Sequence, residues 1–385
     1  MNEWLTTVMA EPAVLVTVAI VEGSGPREPG ARMLVTAGGQ VDTIGGGHLE
    51  MSAVDVGRSM LKSAARSPDG VHARLERYAL GPTLGQCCGG VVHLAFELID
   101  APLADVLASL RKRWREDSWR LSAIDGAPVS LLLDADGTIL AGAGETPAIG
   151  DASATATATG DASKTTGPAS ATAIGAASAT ATGPAFPAID HQRGTHILRD
   201  AAGRRWLADP CLAPRAHLLL FGAGHVGAAI VRMLGELPCT VTWIDEREDM
   251  FPPTIPPNVT VEATDVPEAL VASAPAGASY LVMTHSHALD LRLSEAILAR
   301  ADVGWFGLIG SKTKRVQFER RMAARGLPED RIAAMVCPIG IAGITNKLPA
   351  AIAASVCAQL LTVWEAQQIA ALETKAAPVC LAASR

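Results

Sequence analysis

The stretch HLLLFGAGHVGAAIVRMLGELPCTVTWID, residues 217–245, contains an apolar strand, a glycine-rich turn, an apolar helix and a second strand. Gly222, Gly224 and Gly227 have the spacing G-x-G-x-x-G at the first strand-to-helix junction. Asp245 ends the second strand, 18 residues after Gly227. This arrangement is typical of a dinucleotide-binding unit, in which glycines let the backbone approach a phosphate and the acid binds a ribose hydroxyl. It predicts either a nucleotide ligand or a Rossmann-like domain whose nucleotide site is vestigial.

Strands and helices continue to alternate toward the end of the chain. The predicted strands and helices are, in order, VTVEAT (259–264), SYLVMTH (279–285), a helix over 289–300, VGWFGLIG (303–310), and helices over 312–325 and 349–371. Such alternation is typical of a parallel sheet with helices on both faces. We therefore predict an α/β fold class, with a Rossmann-like doubly wound domain over residues 188–376.

The first 143 residues have a different pattern. The predicted strands are 13–21, 31–36, 40–44, 75–80, 91–99 and 129–133, and the predicted helices are 49–64 and 102–117. Because strands outnumber helices and do not alternate with them, we predict a mixed α+β domain over residues 1–143. Residues 144–187 consist almost wholly of Ala, Thr, Ser and Gly, which bury too little apolar surface to offset the entropy of ordering them. We predict a flexible linker there.

Composition excludes some classes of protein. The 385 residues include 32 Lys and Arg against 39 Asp and Glu, a net charge of −7 that argues against a general nucleic-acid binder. The longest apolar run near the start, Ala13 to Val21, is too short to span a bilayer, and we expect no secretory signal in the residues before it. Seven cysteines without a C-x-x-C pair argue against a disulfide framework. We expect a cytoplasmic protein with no membrane association.

Two adjacent thiols form the most unusual candidate site, Gln86-Cys87-Cys88-Gly89-Gly90. Neighbouring cysteines rarely form a comfortable disulfide because their Cα atoms are only about 3.8 Å apart. Thiolates are soft metal ligands and nucleophiles, so Cys87 and Cys88 are candidate metal ligands. The alternative is a pair of small buried residues with no chemical role.

Two other segments are candidate anion sites. Arg27 and Arg32 flank a Gly/Pro turn, and Gly45–Gly47 lead into a helix, so together they would form a phosphate cradle. Ser311 and Lys312 begin a second basic helix start, GSKTKR. The alternatives are ordinary surface arginines in the first case and a solvated basic turn in the second.

His285, His287 and Asp290 have the spacing H-x-H-x-x-D, which would suit a metal. The further ligands of a dinuclear hydrolase are not apparent in the sequence. We favour the interpretation that these residues line a pocket at the carboxyl edge of the parallel sheet.

Several motifs occur together in one order: GSGPREPGARMLV, TIGGGHLE, GPTLGQCCGG, LFGAGHVG, WIDERE, MTHSHALDL, GLIGSKTKR and CPIGIAG. In this combination, over about residues 13–100 and 217–364, the chain resembles the xanthine dehydrogenase accessory protein family of the XdhC/CoxI type. The adjacent cysteines are similar to the XdhC branch, since a single cysteine is more usual in the CoxI branch. The insertion at 144–187 departs from the family pattern without touching a motif.

The resemblance implies a chaperone of purine catabolism rather than a catalyst. Family members bind the molybdenum cofactor (molybdopterin), protect it, support its sulfuration and deliver it to apo xanthine dehydrogenase, with a cysteine desulfurase as a second partner. The family's cysteine motif maps onto Gln86, Cys87 and Cys88, and its Gly/Arg motifs map onto Arg27, Arg32 and Gly45–Gly47. A homodimer that uses the helix at 350–371 is an open alternative to a monomer.

The competing hypothesis is an NAD(P)-dependent oxidoreductase that uses the glycine turn and Asp245. Asp245 favours a free 2′-hydroxyl on the ribose, whereas neighbouring Arg247 leaves a 2′-phosphate open. His285 and His287 are the candidate proton donors, but no substrate-binding arginine is evident beside them.

Overall fold

A computed structural model describes residues 3–6, 11–67, 70–81, 89–143, 189–190 and 193–376. The predicted linker 144–187 and the predicted site residues Gln86, Cys87 and Cys88 lie outside the described residues. The chain divides into two compact units between Ala213 and Pro214.

Two antiparallel five-stranded sheets build the N-terminal unit. The first sheet has the order β3-β2-β1-β5-β4, with β1 Ala13–Glu22, β2 Arg32–Thr36, β3 Gln40–Asp42, β4 Ala73–Ala79 and β5 Val91–Ile99. The second has the order β8-β7-β6-β10-β9, with β6 Ser118–Ala123, β7 Ser130–Asp134, β8 Ile139–Ala143, β9 His196–Arg199 and β10 Arg205–Cys211. The described helices of this unit are α1 Glu3–Thr6, α2 Gly47–Ala64 and α3 Ala101–Lys112.

The second sheet places the unit boundary later than the sequence suggested. β10 pairs with β6 along its whole length, from Trp206 opposite Ala123 to Cys211 opposite Ser118. Strands β9 and β10 therefore belong to the N-terminal unit, which ends at Ala213, and not to the Rossmann-like domain. The segment 144–187 accordingly joins β8 and β9, two strands of one sheet, rather than the two units.

Packing in the N-terminal unit follows the alternation along β1. Val14, Val16 and Val18 point to the core under α2, and the opposite face of β1 carries Leu15 toward α3. A small cluster that includes Ala19 joins residues of the first sheet to residues of the second. The first sheet is thus covered on both faces, which explains why β1 is almost continuously apolar.

A parallel sheet with helices on both sides forms the C-terminal unit. Its strands have the order β13-β12-β11-β14-β15, with β11 Ala216–Phe221, β12 Cys239–Asp245, β13 Val259–Ala263, β14 Ser279–Val282 and β15 Trp305–Leu308. The helices are α4 His225–Leu234, α5 Pro267–Ser273, α6 His287–Ala299, α7 Lys312–Ala324, α8 Glu329–Ala333 and α9 Pro349–Ala376.

Consecutive residues of β11 show that both faces of this sheet are buried. Leu218 and Leu220 lie in the core cluster that contains residues of α4 and α9. Leu219 and Phe221 lie in a second cluster with residues of α6 and α7. The predicted fold class, an N-terminal α+β domain followed in sequence by a doubly wound parallel sheet, is confirmed.

One described helix has the length and composition of a membrane span, namely the stretch Pro349–Ala371 within α9. Its residues Val356 and Leu360 are fully buried in the core beside α4. Trp364 is also buried, and its Nε1 donates a hydrogen bond to Ser279 Oγ at 3.0 Å. These contacts explain the apolar composition of α9 as that of a core helix.

Candidate functional site

The glycine turn lies at the carboxyl edge of the parallel sheet, between β11 and α4. Gly222 has φ of +122°, and a Cβ there would lie 2.4 Å from the Met283 carbonyl oxygen. A Cβ at Gly227 would lie 2.1 Å from the Gly222 carbonyl oxygen. Both positions therefore require glycine for close backbone packing. The turn thus closes tightly against Met283, which follows β14, and against the first turn of α4.

Gly224 serves a different purpose from the other two glycines. It immediately precedes α4, and no described side chain caps that helix start. A Cβ at Gly224 would meet no described atom within 4 Å. The helix N-terminus therefore faces open space at this point, where its backbone N–H groups and dipole would favour an anion.

Asp245 ends β12 beside this turn, and its carboxylate is already fully engaged. Oδ1 accepts hydrogen bonds from the backbone N of Arg247 at 3.0 Å and from its Nε at 2.9 Å. Oδ2 accepts from the backbone N of Ala223 at 2.7 Å and from Arg247 Nη2 at 3.1 Å. A ribose hydroxyl could donate to this carboxylate only if the side chain of Arg247 moved away.

Electrostatics favour the ionised form of Asp245. Burial by itself raises the pKa of this carboxyl, but the hydrogen bonds from Arg247 and from the backbone of Ala223 more than offset it, so its pKa is lowered. Asp245 thus ties the glycine turn to Arg247. The sequence identified both residues as candidates. It did not indicate that the Arg247 side chain would donate hydrogen bonds to both carboxylate oxygens of Asp245.

Ser311 and Lys312 begin α7 at the end of β15. Ser311 Oγ accepts a hydrogen bond from Lys314 N at 3.2 Å and so caps its own helix. Lys314 is buried, and its Nζ contacts Asp290 Oδ2 at 2.6 Å and the Ile309 carbonyl oxygen at 2.9 Å. Lys312 is exposed. Lys314 therefore points into the fold and is not presented to an anion at this helix start.

The ion pair between Lys314 and Asp290 also decides how the motif His285, His287 and Asp290 is interpreted. Asp290 is fully buried, and its Oδ1 accepts hydrogen bonds from Thr284 N and Oγ1 at 3.0 and 2.7 Å. With Lys314 on Oδ2, the carboxylate of Asp290 acts as the buried partner of a lysine within the fold. No cluster of three metal-ligating side chains occurs in the described part of the chain. His285 instead lines a shallow cleft at the carboxyl edge, together with Asp245.

In the N-terminal unit, the structure brings together Arg27 and the glycines before α2. Gly45, Gly46 and Gly47 all have positive φ, at 117°, 73° and 64°. A Cβ on Gly45 would lie 2.5 Å from Pro26 Cβ, so the glycine run packs directly on the Gly/Pro turn. Arg27 Nη1 contacts the carbonyl oxygen of Thr43 at 3.4 Å, and its side chain is 39% exposed. Two of the predicted anion-binding elements thus share one end of the unit.

Glu50, in the first turn of α2, holds this glycine run in place. Its carboxylate accepts hydrogen bonds from the backbone N of Ile44 at 3.2 Å and of Gly46 at 3.1 Å, as well as from the Thr43 hydroxyl. Burial raises the pKa of Glu50, but these hydrogen bonds outweigh burial, so its pKa is lowered. The start of α2 at Gly46 carries no side-chain cap from a described residue.

Gly90, which follows the cysteine motif, lies against the same Gly/Pro turn. A Cβ on Gly90 would lie 2.4 Å from the carbonyl oxygen of Ser24, and Gly90 N donates to that oxygen at 3.2 Å. Gly90, two residues after Cys88, therefore meets the turn that carries Arg27. Gln86, Cys87 and Cys88 themselves are outside the described residues.

Arg32 does not join this group. Its Nε and Nη2 contact Asp209 Oδ2 and Oδ1 at 3.0 and 2.6 Å, and only 8% of its side chain is exposed. Asp209 also accepts from Arg120 Nη2 at 3.2 Å, and Arg120 Nη1 contacts Glu97 Oε1 at 2.7 Å. Arg32 therefore belongs to a buried four-residue ion network that joins the two sheets, and not to an exposed phosphate cradle.

The two members of that network on β6 and β10, Arg120 and Asp209, were not predicted from the sequence. Arg120 is fully buried in the strand SWRLSA, where every residue is buried. A charged residue inside a short strand ordinarily indicates a solvent-facing position. The one feature of the sequence that places Arg120 among polar neighbours is the alternation along β6, which puts Ser118, Arg120 and Ser122 on one face of the strand.

Comparison with known proteins agrees with this architecture. A model described as the XdhC and CoxI family matches residues 9–78, and one described as the XdhC Rossmann domain matches residues 218–360. The chain is 29% identical over 150 residues to YqeB of Escherichia coli K12, which is described as uncharacterized. That alignment covers 39% of this chain and 27% of YqeB, so it spans little more than a quarter of the relative.

A solved structure extends the likeness to the whole fold. The Bacillus halodurans protein, described as a xanthine dehydrogenase, has a TM-score of 0.65 at 19% identity, over 95% of both chains. The match to the XdhC and CoxI family favours an accessory role in maturation over the dehydrogenase hypothesis based on the glycine turn. Because models of its two domains match in order on either side of residues 144–187, the chain belongs to the XdhC and CoxI family.

Proposed function

We propose that this protein holds the molybdenum cofactor and delivers it to apo xanthine dehydrogenase. The observation that carries the proposal is the family match over residues 9–78, which include the turn with Arg27 and the Gly45–Gly47 run. Those two elements lie together at one end of the N-terminal unit. Gly90, two residues after Cys88, packs against the turn that carries Arg27.

The residues at this end suit the chemistry of the cargo. Molybdopterin is a pterin that carries a phosphate, a dithiolene and an oxidisable molybdenum. The Arg27 guanidinium and the N–H groups in the first turn of α2, which the N-cap residue Gly46 does not cap, would hold the phosphate. A hydrogen bond to Glu28 raises the pKa of Arg27, so the guanidinium stays charged. The thiols of Cys87 and Cys88, with the amide of Gln86, are the candidate donors toward the metal face.

Activation of apo xanthine dehydrogenase tests this proposal. Cofactor-loaded protein should restore xanthine oxidation to the apoenzyme, and Cys87→Ala, Cys88→Ala and Arg27→Ala should each reduce the restored activity. Arg74→Ala is the matched control, since Arg74 is also an exposed arginine paired with a glutamate. Equal restoration by Arg27→Ala and Arg74→Ala would refute the role of Arg27, and full restoration by both cysteine variants would refute the role of the thiols.

Sulfuration of the cofactor is the second part of the proposal. A cysteine desulfurase would supply sulfur while the cofactor is held, and the cysteine pair either holds the cofactor or also carries a persulfide. Mass spectrometry after incubation with the desulfurase distinguishes these roles by a mass increase of one sulfur atom on Cys87 or Cys88. Sulfurated cofactor without that adduct would rule out the persulfide role.

The Rossmann-like site is proposed as a secondary phosphate site. The open approach at Gly224 and the uncapped start of α4 support a nucleotide there. Because Arg247 occupies both oxygens of Asp245, we expect Arg247→Ala to strengthen NAD binding measured by calorimetry. Unchanged affinity would show that the ribose does not use Asp245.

We place these steps in the cytoplasm, where a reducing environment keeps thiols free. In support, the four cysteines that the structure describes, Cys211, Cys239, Cys337 and Cys357, are all unpaired. Fractionation of cells that express the protein would test the assignment, and recovery from the periplasm would contradict it.

A further inference from the structure

Strand β4 is the longest terminal strand of the three sheets in the described part of the chain. It has seven residues, whereas the other terminal strands, β3, β8, β9, β13 and β15, have three to five. β4 contains no proline or glycine, and it pairs with β5 without a register shift. Proteins ordinarily keep terminal strands short, irregular or covered, because unpaired backbone groups accept a further strand. β4 is therefore the described edge most open to one.

The hydrogen bonds at the two ends of β4 show which backbone groups face away from β5. The carbonyl oxygen of His72 accepts from Leu98 N at 2.7 Å, and Leu80 N donates to the Gly90 carbonyl oxygen at 3.0 Å. In an antiparallel pair, residues that turn both backbone groups toward the partner alternate with residues that turn both away. The residues whose N–H and C=O groups face the free edge are therefore Ala73, Leu75, Arg77 and Ala79. None of these groups bonds to a described residue.

The side chains of β4 favour an acidic partner over a second copy of the chain. Arg77 is exposed and forms no ion pair with a described residue. Glu76 is the one acidic residue of β4, and it already pairs with Arg74 and accepts from Tyr78 Oη at 2.7 Å. A free arginine on an edge discourages pairing with an identical strand and favours a strand with a carboxylate opposite it. Leu75, on the same face as Arg77, is partly buried and favours an apolar neighbour.

The free edge of β4 leads directly to the cysteine motif. β4 ends at Ala79, and β5 begins at Val91. A Cβ on Gly81 would lie 3.7 Å from Gly89 Cα, so the chain leaves and re-enters the hairpin at one point. The segment that contains Cys87 and Cys88 connects these two glycines. An enzyme that receives the cargo of this motif must approach the same end of the hairpin.

We propose that the acceptor enzyme adds an extended segment to the free edge of β4 as a further antiparallel strand, with an acidic residue opposite Arg77 and an apolar residue opposite Leu75. The inference rests on the proposed function, since it takes the acceptor to be apo xanthine dehydrogenase. In this mode of recognition, main-chain hydrogen bonds supply affinity and alternate side chains supply specificity. The acceptor then receives the cofactor beside the cysteine motif.

Residue-resolved hydrogen–deuterium exchange of the full chain, alone and mixed with apo xanthine dehydrogenase, tests the pairing. The amides of Leu75, Arg77 and Ala79 should exchange at least about tenfold more slowly in the mixture, because each gains a hydrogen bond. The even-numbered residues of β4, which already bond to β5, should change less. Unchanged exchange at the three amides would overturn the proposal. So would protection in the protein alone that disappears on dilution, since a second copy would then occupy the edge.

Two substitutions of one residue separate backbone pairing from charge. Arg77→Pro removes an outward N–H, which an edge strand tolerates, and Arg77→Ala removes the charge but keeps the N–H. Binding to immobilised apo xanthine dehydrogenase should weaken at least about tenfold in Arg77→Pro and at most about fivefold in Arg77→Ala. Ala263→Pro, on the exposed edge strand β13, is the matched control and should bind as the wild type does. Equal affinities of the two Arg77 variants would refute backbone pairing.

Pterin retention distinguishes failure of this inference from failure of the proposed function. Arg77→Pro should retain as much pterin as the wild type. Normal binding of Arg77→Pro to the apoenzyme would refute the edge pairing alone, whereas a wild type without pterin would refute the proposed function. Exchange in β5 should be equal in Arg77→Pro and the wild type, because the variant keeps the bonds between β4 and β5. If β5 exchanges faster in the variant, the exchange comparison on the wild type decides.

Discussion

Replacing Asp209 by asparagine tests whether Arg32 is a structural residue. Asp209 is fully buried and holds three guanidinium contacts, two from Arg32 at 3.0 and 2.6 Å and one from Arg120 at 3.2 Å. It also accepts a hydrogen bond from Thr195 Oγ1 at 2.8 Å. Asp209→Asn keeps the shape of the side chain but removes its charge, which leaves two buried guanidinium groups with Glu97 as their remaining carboxylate partner in the network.

The size of the destabilisation expected for Asp209→Asn follows from the burial of the network. Removing one partner of a buried ion pair costs about 3–5 kcal/mol, because the remaining charge is left uncompensated in a poorly solvated place. An exposed pair contributes only about 0–1 kcal/mol. Asp125→Asn is therefore the matched control, since Asp125 pairs with Arg205 in the same sheet while 40% of its side chain is exposed.

Hydrogen–deuterium exchange read out by mass spectrometry measures the local effect in the intact chain. For peptides of β6 and β10, Asp209→Asn should accelerate exchange on the order of 100- to 4,000-fold, which is 3–5 kcal/mol converted at about 1.4 kcal/mol for each tenfold change. Asp125→Asn should change exchange by less than about tenfold. Equal effects of the two variants would refute the argument that the network is structural and would return Arg32 to the list of ligand-binding candidates.

Three further predictions concern glycine packing, pH and thiol reactivity. Gly227→Ala should lower the free energy of unfolding by about 2–3 kcal/mol in urea titrations, because its Cβ would clash with backbone, whereas Gly224→Ala should cost less than about 1 kcal/mol; similar costs would contradict the packing argument. Burial raises the pKa of Asp209, but Arg32 and Arg120 lower it further, so its stabilisation should be present above about pH 4 and lost as the pH falls below that value. The difference in stability between wild type and Asp209→Asn should therefore shrink between pH 7 and pH 3, and a constant difference would be inconsistent with a lowered pKa. Burial raises the pKa of Cys239 to about 12 and of Cys357 to about 11, so iodoacetamide at pH 8 should modify both only after unfolding, and rapid labelling of the folded protein would count against their burial.

The parallel sheet was predictable because its elements are long, apolar and strictly alternating. Buried parallel strands such as β11 are continuous apolar runs, and glycine marks the turn after it. The second antiparallel sheet was harder to predict. β9 and β10 are separated in sequence from β6 by residues 144–187, and β10 includes Asp209 and Pro210, which are rare inside strands. Only long-range pairing reveals that these residues complete a sheet begun before the insertion.

The candidate site shows the same division between local and long-range information. Local sequence identified the Gly45–Gly47 run and Arg27, and the structure packs Gly45 on Pro26, the residue before Arg27. Local sequence could not separate Arg27 from Arg32, since both flank the same turn. The partner of Arg32, Asp209, lies 177 residues away in the sequence. Residue type identifies a cation, but only the packed fold identifies what neutralises it.

Anaerobic retention of pterin tests the central claim most directly. The full chain is purified without oxygen from cells that make the molybdenum cofactor, and the pterin it retains is oxidised to a fluorescent derivative and counted against protein. We expect a stoichiometric amount of pterin on the wild-type protein, and a loss of it in Cys87→Ala and Cys88→Ala. A wild-type protein that retains no stoichiometric pterin under these conditions would contradict the proposal that it holds the molybdenum cofactor.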